Sequence, residues 1–303
     1  MRSIIVGQGP FGEKVLQALI QKDEDIVGVF SPPDKRGEGM KTLAEKSGIP
    51  FFRPNLMKDP QVYNTYVKLN PELAILAFVT DIIPEKLLII PSLGTICYHP
   101  SILPRHRGAS AINWAIIQGD TRTGLTILWV DKGIDTGPIL LQKEVEIGPD
   151  DTTGSLYFNT LFPMGIDAIV EAIELIKTGK APRIPQDESK ATYESPCDDR
   201  VAFVNFEKSI KDIYNLIRGC DPQPGAYTTF KGKRVRFYDA KMFPSAIDKR
   251  SGEIVSIEEG GLQIAVKGGL INVGKLRVDK GEKIGPGEFA KSVDLKIGDR
   301  FGE

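Results

Sequence analysis

The histidines of this chain lie close together, which makes their stretch the first candidate for chemistry. Of 303 residues only two are histidine, His99 and His106. The run Leu93–Cys97 before them has the composition of a strand, and a helix-like pattern starts after Gly108. His99 is therefore predicted at the end of a strand, where α/β proteins place reactive side chains. An imidazole there can give or take a proton near neutral pH, so His99 is a candidate catalytic residue.

A polar, glycine-rich turn further along the chain supplies a carboxylate for that histidine. The turn Asp131–Pro138 lies between two apolar runs that are typical of buried strands. A carboxylate beside an imidazole holds its tautomer or accepts its proton, and Asp135 is the predicted partner of His99. Asp131 is the competing candidate, although its place directly after a strand also suits a residue that only caps the turn.

Two other features of the histidine stretch have both an ordinary and a functional interpretation. Arg105-His106-Arg107 is either a solvated turn or a contact for an anionic group of a substrate. Ser101 could be a nucleophile in isolation, but its surroundings lack the G-x-S-x-G pattern that exposes a catalytic serine on a sharp turn. A serine hydrolase is therefore disfavoured.

The first strand runs into Gly7-x-Gly9-x-x-Gly12, the spacing of a dinucleotide-binding turn between a strand and a helix. The second strand ends in Val29-Phe30-Ser31, without the acidic residue that holds a ribose hydroxyl. A tight turn that needs small residues explains the glycines without any ligand, and this interpretation is preferred. An NAD-dependent oxidoreductase stays open as the second function class.

The totals argue against several classes of protein. A net charge of −1, with 41% hydrophobic and 26% charged residues, is typical of a soluble globular protein and gives no overall field to attract DNA or a membrane surface. The three cysteines, Cys97, Cys197 and Cys220, make no disulfide framework and lack metal-ligand spacing. We therefore expect a cytoplasmic protein without a bound metal, a DNA partner or a membrane span.

The elements that must position these residues alternate between strand and helix patterns. Buried, strand-like runs such as Ser3–Gly7 and Leu73–Val79 are separated by amphipathic helical patterns, which predicts an α/β fold with a doubly wound, mostly parallel sheet. A stretch rich in proline, polar and charged residues follows. We assign residues 183–204 to a linker between a catalytic domain, 1–182, and a smaller C-terminal domain, 205–303.

The C-terminal domain starts with a helical pattern and then changes to short strands separated by glycine turns. This change predicts a small β-barrel. Basic residues near its first hairpin form either a solvated strand or a small RNA-binding patch, namely Lys231, Lys233, Arg234 and Arg236. An RNA-binding module without catalytic turnover is therefore the third function class left open.

The stretch His99–Gly108 resembles the His-x-Ser-Leu-Leu-Pro-x-x-Arg-Gly signature of the formyltransferases that use 10-formyltetrahydrofolate. Asp135-Thr136-Gly137 resembles the second signature of that family, and Pro149–Thr152 and Arg218–Pro224 are similar to it as well. The resemblance covers nearly the whole chain. It implies a Rossmann-like formyltransferase domain that binds folate, followed by an OB-like barrel.

The same resemblance implies roles for individual residues. His99 and Asp135 are the implied catalytic pair. The implied substrate-binding residues are Asp81, Ile82 and Ile83 after a central strand, Cys97, Ser101, Ile102, Leu103 and Pro104 around the histidine, and Gly137 in the acidic turn. The implied substrate is 10-formyltetrahydrofolate, with tetrahydrofolate as a product and no metal.

One departure from the family pattern lies two residues before His99. Methionyl-tRNA and sugar formyltransferases have an asparagine there that helps to hold an oxyanion, and this chain has Cys97. A thiol is a weak donor, so Cys97 should stabilise an oxyanion poorly. The run His99–Trp114 is also most similar to the hydrolase domain of 10-formyltetrahydrofolate dehydrogenase. We therefore favour hydrolysis to tetrahydrofolate and formate, with transfer to initiator Met-tRNA or to another amine as the alternative.

Overall fold

The fully apolar runs of the sequence become the central strands of a seven-stranded sheet in the computed structural model. Every residue of β1 (Ser3–Gly7) is buried. The same is true of Leu73–Ala77, which pairs with β1 in parallel. Strands that are buried on both faces need helices on both sides, and the amphipathic segments between them supply these helices. The predicted α/β fold with a mostly parallel sheet is confirmed.

The structure describes residues 1–302. In chain order, the helices and strands of the N-terminal part are β1 (Ser3–Gly7), α1 (Gly9–Gln21), β2 (Ile26–Phe30), α2 (Glu38–Lys46), β3 (Phe51–Phe52), α3 (Pro60–Leu69), β4 (Leu73–Ala77), α4 (Glu85–Leu88), β5 (Gly94–His99), β6 (Arg107–Gly108), α5 (Ala111–Ile117), β7 (Arg122–Trp129), β8 (Ile139–Glu146), α6 (Thr153–Leu156) and α7 (Phe162–Lys177). The remaining ones are β9 (Tyr193–Glu194), α8 (Ile210–Gly219), β10 (Ala226–Phe230), β11 (Lys233–Pro244), β12 (Ile254–Glu258), β13 (Gly261–Val266), β14 (Gly269–Val278) and α9 (Pro286–Val293).

The order of strands in the large sheet is β3-β2-β1-β4-β5-β7-β8. Strands β2, β1, β4 and β5 run parallel, and β7 is antiparallel to β5. The chain order reverses between β1 and β4, the place where open α/β sheets bind ligands beyond the carboxyl ends of their strands. A cavity of about 350 Å³ lies there, lined by residues that follow β1, β2, β3 and β4, among them Gln8, Ser31 and Asp81.

The glycines that end and follow β1 are explained by close packing. A Cβ atom on Gly7 would lie 2.7 Å from the carbonyl oxygen of Ala77 in β4. A Cβ atom on Gly12 would lie 2.8 Å from the sulfur of Met40 and 3.1 Å from the carbonyl carbon of Gly7. The close approach of α1 to the sheet therefore requires these small residues, in agreement with the preferred interpretation of the motif.

One helical run, Thr153–Lys177, is long and apolar enough by length and composition to cross a membrane. A π-helical turn, Tyr157–Leu161, joins α6 to α7 within it. The buried face of α7 includes Ala168, Ile169 and Ile173, and these side chains belong to the main hydrophobic core around the sheet. The run has the features of a core helix.

The chain folds into two compact units, each built from segments that are not consecutive in sequence. The first comprises residues 1–108, 124–145 and 159–193, and the second comprises 109–123, 146–158 and the residues from 194 onward. The second unit contains a five-stranded antiparallel sheet, β10-β11-β14-β13-β12, as expected for a separate β-rich C-terminal domain. The sequence-based boundaries at 182 and 205 stay a prediction about domains.

Candidate active site

His99 ends β5 and is 6% exposed, so its imidazole is nearly removed from water. Its Nε2 atom lies 2.7 Å from the backbone carbonyl oxygen of His106. A carbonyl oxygen can only accept a hydrogen bond, so Nε2 carries a proton and donates it to His106. The Nδ1 atom faces the carboxylate of Asp135 at 3.5 Å from Oδ2. Nδ1 is therefore the ring nitrogen that is left to give or take a proton.

Asp135 is positioned by a hydrogen bond to its side chain and by an unusual backbone conformation. Its Oδ2 atom accepts a hydrogen bond of 2.8 Å from the backbone N–H of Gly108, the last residue of the histidine stretch. Its backbone lies in the left-handed region, with φ at +56°, which is uncommon for a residue other than glycine. The turn is thus held in a shape that aims one carboxylate oxygen at both His99 and Gly108.

Asp131, the competing carboxylate, has the capping role instead. Its Oδ1 atom accepts hydrogen bonds from the N–H of Gly133 at 2.9 Å and from the hydroxyl of Thr136 at 2.6 Å. These bonds close the turn on itself. The predicted pairing of His99 with Asp135 is the one that the structure brings together.

Gly137 lies in the same turn, at a point where no side chain fits. A Cβ atom there would lie 1.7 Å from the carbonyl oxygen of Trp129, the last residue of β7. The backbone of the turn therefore packs directly on the end of β7. This contact explains why residue 137 is a glycine, which the sequence motif alone did not explain.

Cys97 lies on β5 two residues before His99, which places both side chains on the same face of the strand. Its sulfur lies 3.4 Å from the carbonyl oxygen of Tyr98. Burial raises the pKa of the Cys97 thiol well above its usual range, and the negative charge of Asp135 raises it further. Cys97 is therefore a neutral thiol beside the pair, and a weak donor.

The loop after His99 is fixed by hydrogen bonds of its own. Ser101 is fully buried, and its hydroxyl donates to the carbonyl oxygen of Arg105 at 2.7 Å. The hydroxyl of Thr126 on β7 donates to the carbonyl oxygen of Ser101 and accepts from the N–H of Leu103. The amide of Gln142 on β8 donates to Leu103 O and to Thr126 Oγ1, both at 2.9 Å. Among the predicted residues of this loop, the Ser101 hydroxyl and the Leu103 backbone thus shape the loop, whereas Ile102 and Pro104 are partly exposed.

One of the three predicted residues after β4 lies at the edge of the cavity. Asp81 lines it, and its Oδ2 atom accepts a hydrogen bond of 2.7 Å from the N–H of Met57. Ile82 is 79% exposed, and Ile83 is partly buried. An isoleucine this exposed next to a cavity is a surface that a flat apolar ring can cover.

Arg107 differs from both interpretations offered for the basic run. Its side chain is fully buried, and its guanidinium donates to Gln186, Glu188 and the hydroxyl of Tyr193. The hydrogen bonds to Glu188 raise the pKa of Arg107 above its usual range. Arg107 is therefore neither a solvated residue nor free to bind a substrate anion, and both predictions for it were wrong.

Sequence reasoning missed four contacts that shape the site: the carbonyl of His106, the N–H of Gly108, the amide of Gln186 and the hydroxyl of Thr192. The first two are backbone groups, which every residue carries. The other two lie in a stretch predicted as a linker because of its proline and charge content. One signal in that stretch was Tyr193, an aromatic residue among mostly polar ones. Within residues 1–302 we find no group of three or more His, Cys, Asp or Glu side chains that could hold a metal ion.

Comparison with known proteins identifies the family of this chain. The formyl transferase family model matches residues 1–173, and the model of the formyl transferase C-terminal domain matches residues 198–294. The chain belongs to the formyl transferase family. The recognition based on the two signature motifs is confirmed.

Two relatives of this chain differ in their length and in the activity that their names state. Human mitochondrial 10-formyltetrahydrofolate dehydrogenase is 42% identical over 282 residues, which cover 90% of this chain and 30% of the human protein. Methionyl-tRNA formyltransferase of Geotalea daltonii is 34% identical over 310 aligned positions, which cover 100% of this chain and 98% of that protein. The chain thus spans less than a third of the length of the human dehydrogenase.

The fold of this chain also matches solved structures. HypX from Aquifex aeolicus, solved in complex with tetrahydrofolic acid, superposes with a TM-score of 0.71 at 19% identity. The match covers 100% of this chain and 51% of that one. It supports the fold described above, a mostly parallel sheet together with a second, antiparallel one.

Proposed function

We propose that this formyl transferase uses 10-formyltetrahydrofolate and passes its formyl group to water, giving tetrahydrofolate and formate. The observation that carries the proposal is the buried pair of His99 and Asp135, with Nδ1 and Oδ2 3.5 Å apart at the end of β5. The family assignment supports a formyl donor. The name of a 42% identical relative, 10-formyltetrahydrofolate dehydrogenase, supports a folate as that donor.

In the proposed reaction water attacks the formyl carbon, a tetrahedral oxyanion forms, and the bond between that carbon and the folate nitrogen breaks. The folate nitrogen leaves readily only after it gains a proton. Because Nε2 is committed to His106, Nδ1 of His99 first takes a proton, and the protonated ring then hydrogen-bonds the oxyanion or donates that proton to the folate nitrogen. Asp135 orients His99 or takes the proton that the attacking water loses.

The proposed folate contacts extend from this pair along two loops. Ile82 offers an exposed apolar side chain for the flat pterin ring, next to Asp81 and Ile83. The backbone of Ser101–Pro104 and of the turn at Gly137 forms the other side of the proposed pocket. Aromatic and apolar surfaces with a few fixed polar groups are typical of small-molecule sites.

Cys97 supports water as the preferred acceptor. Preorganised hydrogen-bond donors that face an oxyanion supply a large part of the rate of acyl transfer. The neutral thiol of Cys97 is a weak donor beside His99. The oxyanion in the proposed reaction therefore depends on His99. The departure from the asparagine expected of methionyl-tRNA and sugar formyltransferases at this position favours hydrolysis.

Transfer to the amine of initiator methionyl-tRNA is the second candidate, because a methionyl-tRNA formyltransferase matches this chain over its full length. The basic hairpin offers limited support for a tRNA contact. Arg234 and Arg236 both pair with Asp199, and Lys231 donates to the carbonyl oxygen of Asp294. Paired cations contribute less to phosphate binding than free ones, so we rank this candidate second.

The test is to incubate the purified protein with 10-formyltetrahydrofolate alone and to follow tetrahydrofolate and formate. Turnover without an added acceptor, lost in Asp135→Ala, is the expected result. Binding of the folate without turnover would contradict hydrolysis, and addition of charged initiator tRNA would then test the second candidate. If the protein neither binds nor turns over the folate, that result would contradict both candidate functions.

A further inference from the structure

The side-chain amide of Gln186 makes four hydrogen bonds between two loops of the candidate site. Its Oε1 atom accepts from Nε and Nη2 of Arg107, at 3.2 and 2.8 Å. Its Nε2 atom donates to the carbonyl oxygens of Asp135 and Gly137, at 2.8 and 2.7 Å. A guanidinium can only donate and a carbonyl can only accept, so these partners fix the orientation of the amide.

The partners of Gln186 lie on either side of the hydrogen bond that holds the Asp135 carboxylate. Arg107 immediately precedes Gly108, whose N–H donates to Asp135 Oδ2 at 2.8 Å. The guanidinium of Arg107 is held further by Glu188 and by the hydroxyl of Tyr193. The amide of Gln186 thus connects Arg107, which precedes the donor Gly108, to the backbone of the acceptor Asp135.

The segment that contains Gln186 also fixes His106, whose carbonyl oxygen is the partner of Nε2 of His99. Thr192 Oγ1 accepts a hydrogen bond of 2.8 Å from the N–H of His106, and the carbonyl oxygen of Thr192 accepts one of 3.0 Å from the N–H of Arg107. His106, like Asp135, has a left-handed backbone, with φ at +58°. Such conformations are unfavourable on their own and persist where their surroundings hold them.

We propose that Gln186 is a positioning residue that couples the Gly108 loop to the Asp135 turn and thereby sets the geometry between Asp135 and Nδ1 of His99. Its effect on catalysis rests on the proposed function. Its effect on the environment of His99 does not, because the contacts exist in the protein without substrate. The two effects are therefore tested separately.

Two variants separate the contacts, and a third is the control. Gln186→Met keeps the length of the side chain and removes all four hydrogen bonds. Gln186→Glu keeps an acceptor for Arg107 and removes the donors to Asp135 and Gly137, so it provides a second variant in case the first is poorly folded. Gln17→Met is the matched control, because Gln17 lies on α1, outside both loops, and its Oε1 atom accepts a hydrogen bond of 2.9 Å from the exposed Lys14.

The substrate-free measurement is the ring ¹⁵N spectrum of the histidines, which has two rings to resolve, assigned with His106→Asn. We expect the His99 nitrogens of both Gln186 variants to shift in the same direction as in Asp135→Asn, and those of Gln17→Met to match the wild type. A folded Gln186→Met or Gln186→Glu variant with wild-type His99 shifts would overturn the proposal. This readout decides the matter even for a protein that does not turn over the folate.

The kinetic measurement is a double-mutant cycle with Asp135→Asn. We expect Gln186→Met to lower kcat by about ten- to a hundredfold in the wild-type background, with little change in KM, because a small misplacement of a catalytic group is costly. In the Asp135→Asn background the same change should cost less than about threefold, since residues that act through one another are not additive. Equal losses in both backgrounds would show that Gln186 does not act through Asp135.

Discussion

The two histidines of the chain are joined by a hydrogen bond in which Nε2 of His99 donates to the backbone carbonyl oxygen of His106 at 2.7 Å. This bond selects the tautomer of the nearly buried His99 ring and leaves Nδ1 toward Asp135. The imidazole of His106 is itself buried, yet the contribution of His106 to His99 comes from its backbone. The two residues therefore have different tasks although both are histidines.

His99→Ala is expected to lower the turnover of 10-formyltetrahydrofolate by about 10²–10⁴-fold, the usual contribution of a positioned acid or base. Binding of the folate should stay within about threefold of the wild type, because the loss concerns the transition state rather than the bound substrate. Single-turnover kinetics and equilibrium titration separate the two quantities. A variant that keeps more than about a tenth of the wild-type turnover would exclude the assigned role.

Cys97→Ala is expected to change kcat by less than about threefold, because a weak donor has little to lose. Removal of a strong oxyanion donor, in contrast, costs about 10²–10³-fold. Steady-state kinetics of the variant on 10-formyltetrahydrofolate checks this expectation. A loss of about a hundredfold would mean that the thiol contacts the oxyanion strongly, and the argument for water as the acceptor would lose its support.

Gly137→Ala is expected to destabilise the protein by about 2 kcal/mol or more, because the added methyl group must displace the backbone of Trp129 or move the turn. Activity should fall with it, since the same turn carries Asp135. Gly287→Ala is a matched control in α9, where an added Cβ atom meets nothing within 4 Å. Denaturant unfolding of both variants measures the difference, and equal stabilities would contradict the close contact.

Asp150→Asn is expected to make stability less dependent on acid pH. A hydrogen bond from Lys241, followed by one from the hydroxyl of Tyr214, lowers the pKa of Asp150 below its ordinary value of 3.8. A lowered folded pKa means that the unfolded chain binds more protons in this range, so the stabilisation is present above about pH 4 and is lost as the pH falls through the folded pKa.

The size of that effect is limited because the pair is about half exposed, and we expect a difference of about 1 kcal/mol or less at pH 7. The amide of the variant keeps an oxygen that can accept from Tyr214, so the change isolates the charge. Urea unfolding of wild type and variant between pH 3 and pH 7 follows the difference, and Lys241→Met should give the same trend. A gap that widens toward low pH would contradict the assignment.

Local patterns predicted the local structure around the candidate residues. Alternation of apolar residues placed His99 at a strand end, and turn residues marked the segment around Asp135. The glycines of the first turn were predicted to allow a tight turn, and a Cβ atom on Gly12 would indeed lie 3.1 Å from the carbonyl carbon of Gly7. Each of these features depends on residues that are close in sequence, so a single stretch contains the information.

The meeting of His99 with Asp135 depended on the tertiary structure. Strand β7 is antiparallel to β5, and its last residue, Trp129, pairs with Ile96 rather than with His99. The end of β7 is therefore not at the same edge as His99, and the turn must fold back along β5 to bring Asp135 to it. The direction of strand pairing decides this path, and no local pattern encodes it.

The contacts of Gln186 and Thr192 could not be predicted from the sequence either. Both residues lie in a polar, proline-containing segment whose composition is typical of a linker, yet they bond to loops that are distant in sequence. The groups they hold are backbone N–H and carbonyl groups, which are chemically the same at almost every position. The sequence by itself determined which side chains could do the chemistry, whereas only the tertiary structure decided which backbone groups hold them, because those contacts arise from chain packing rather than from residue type.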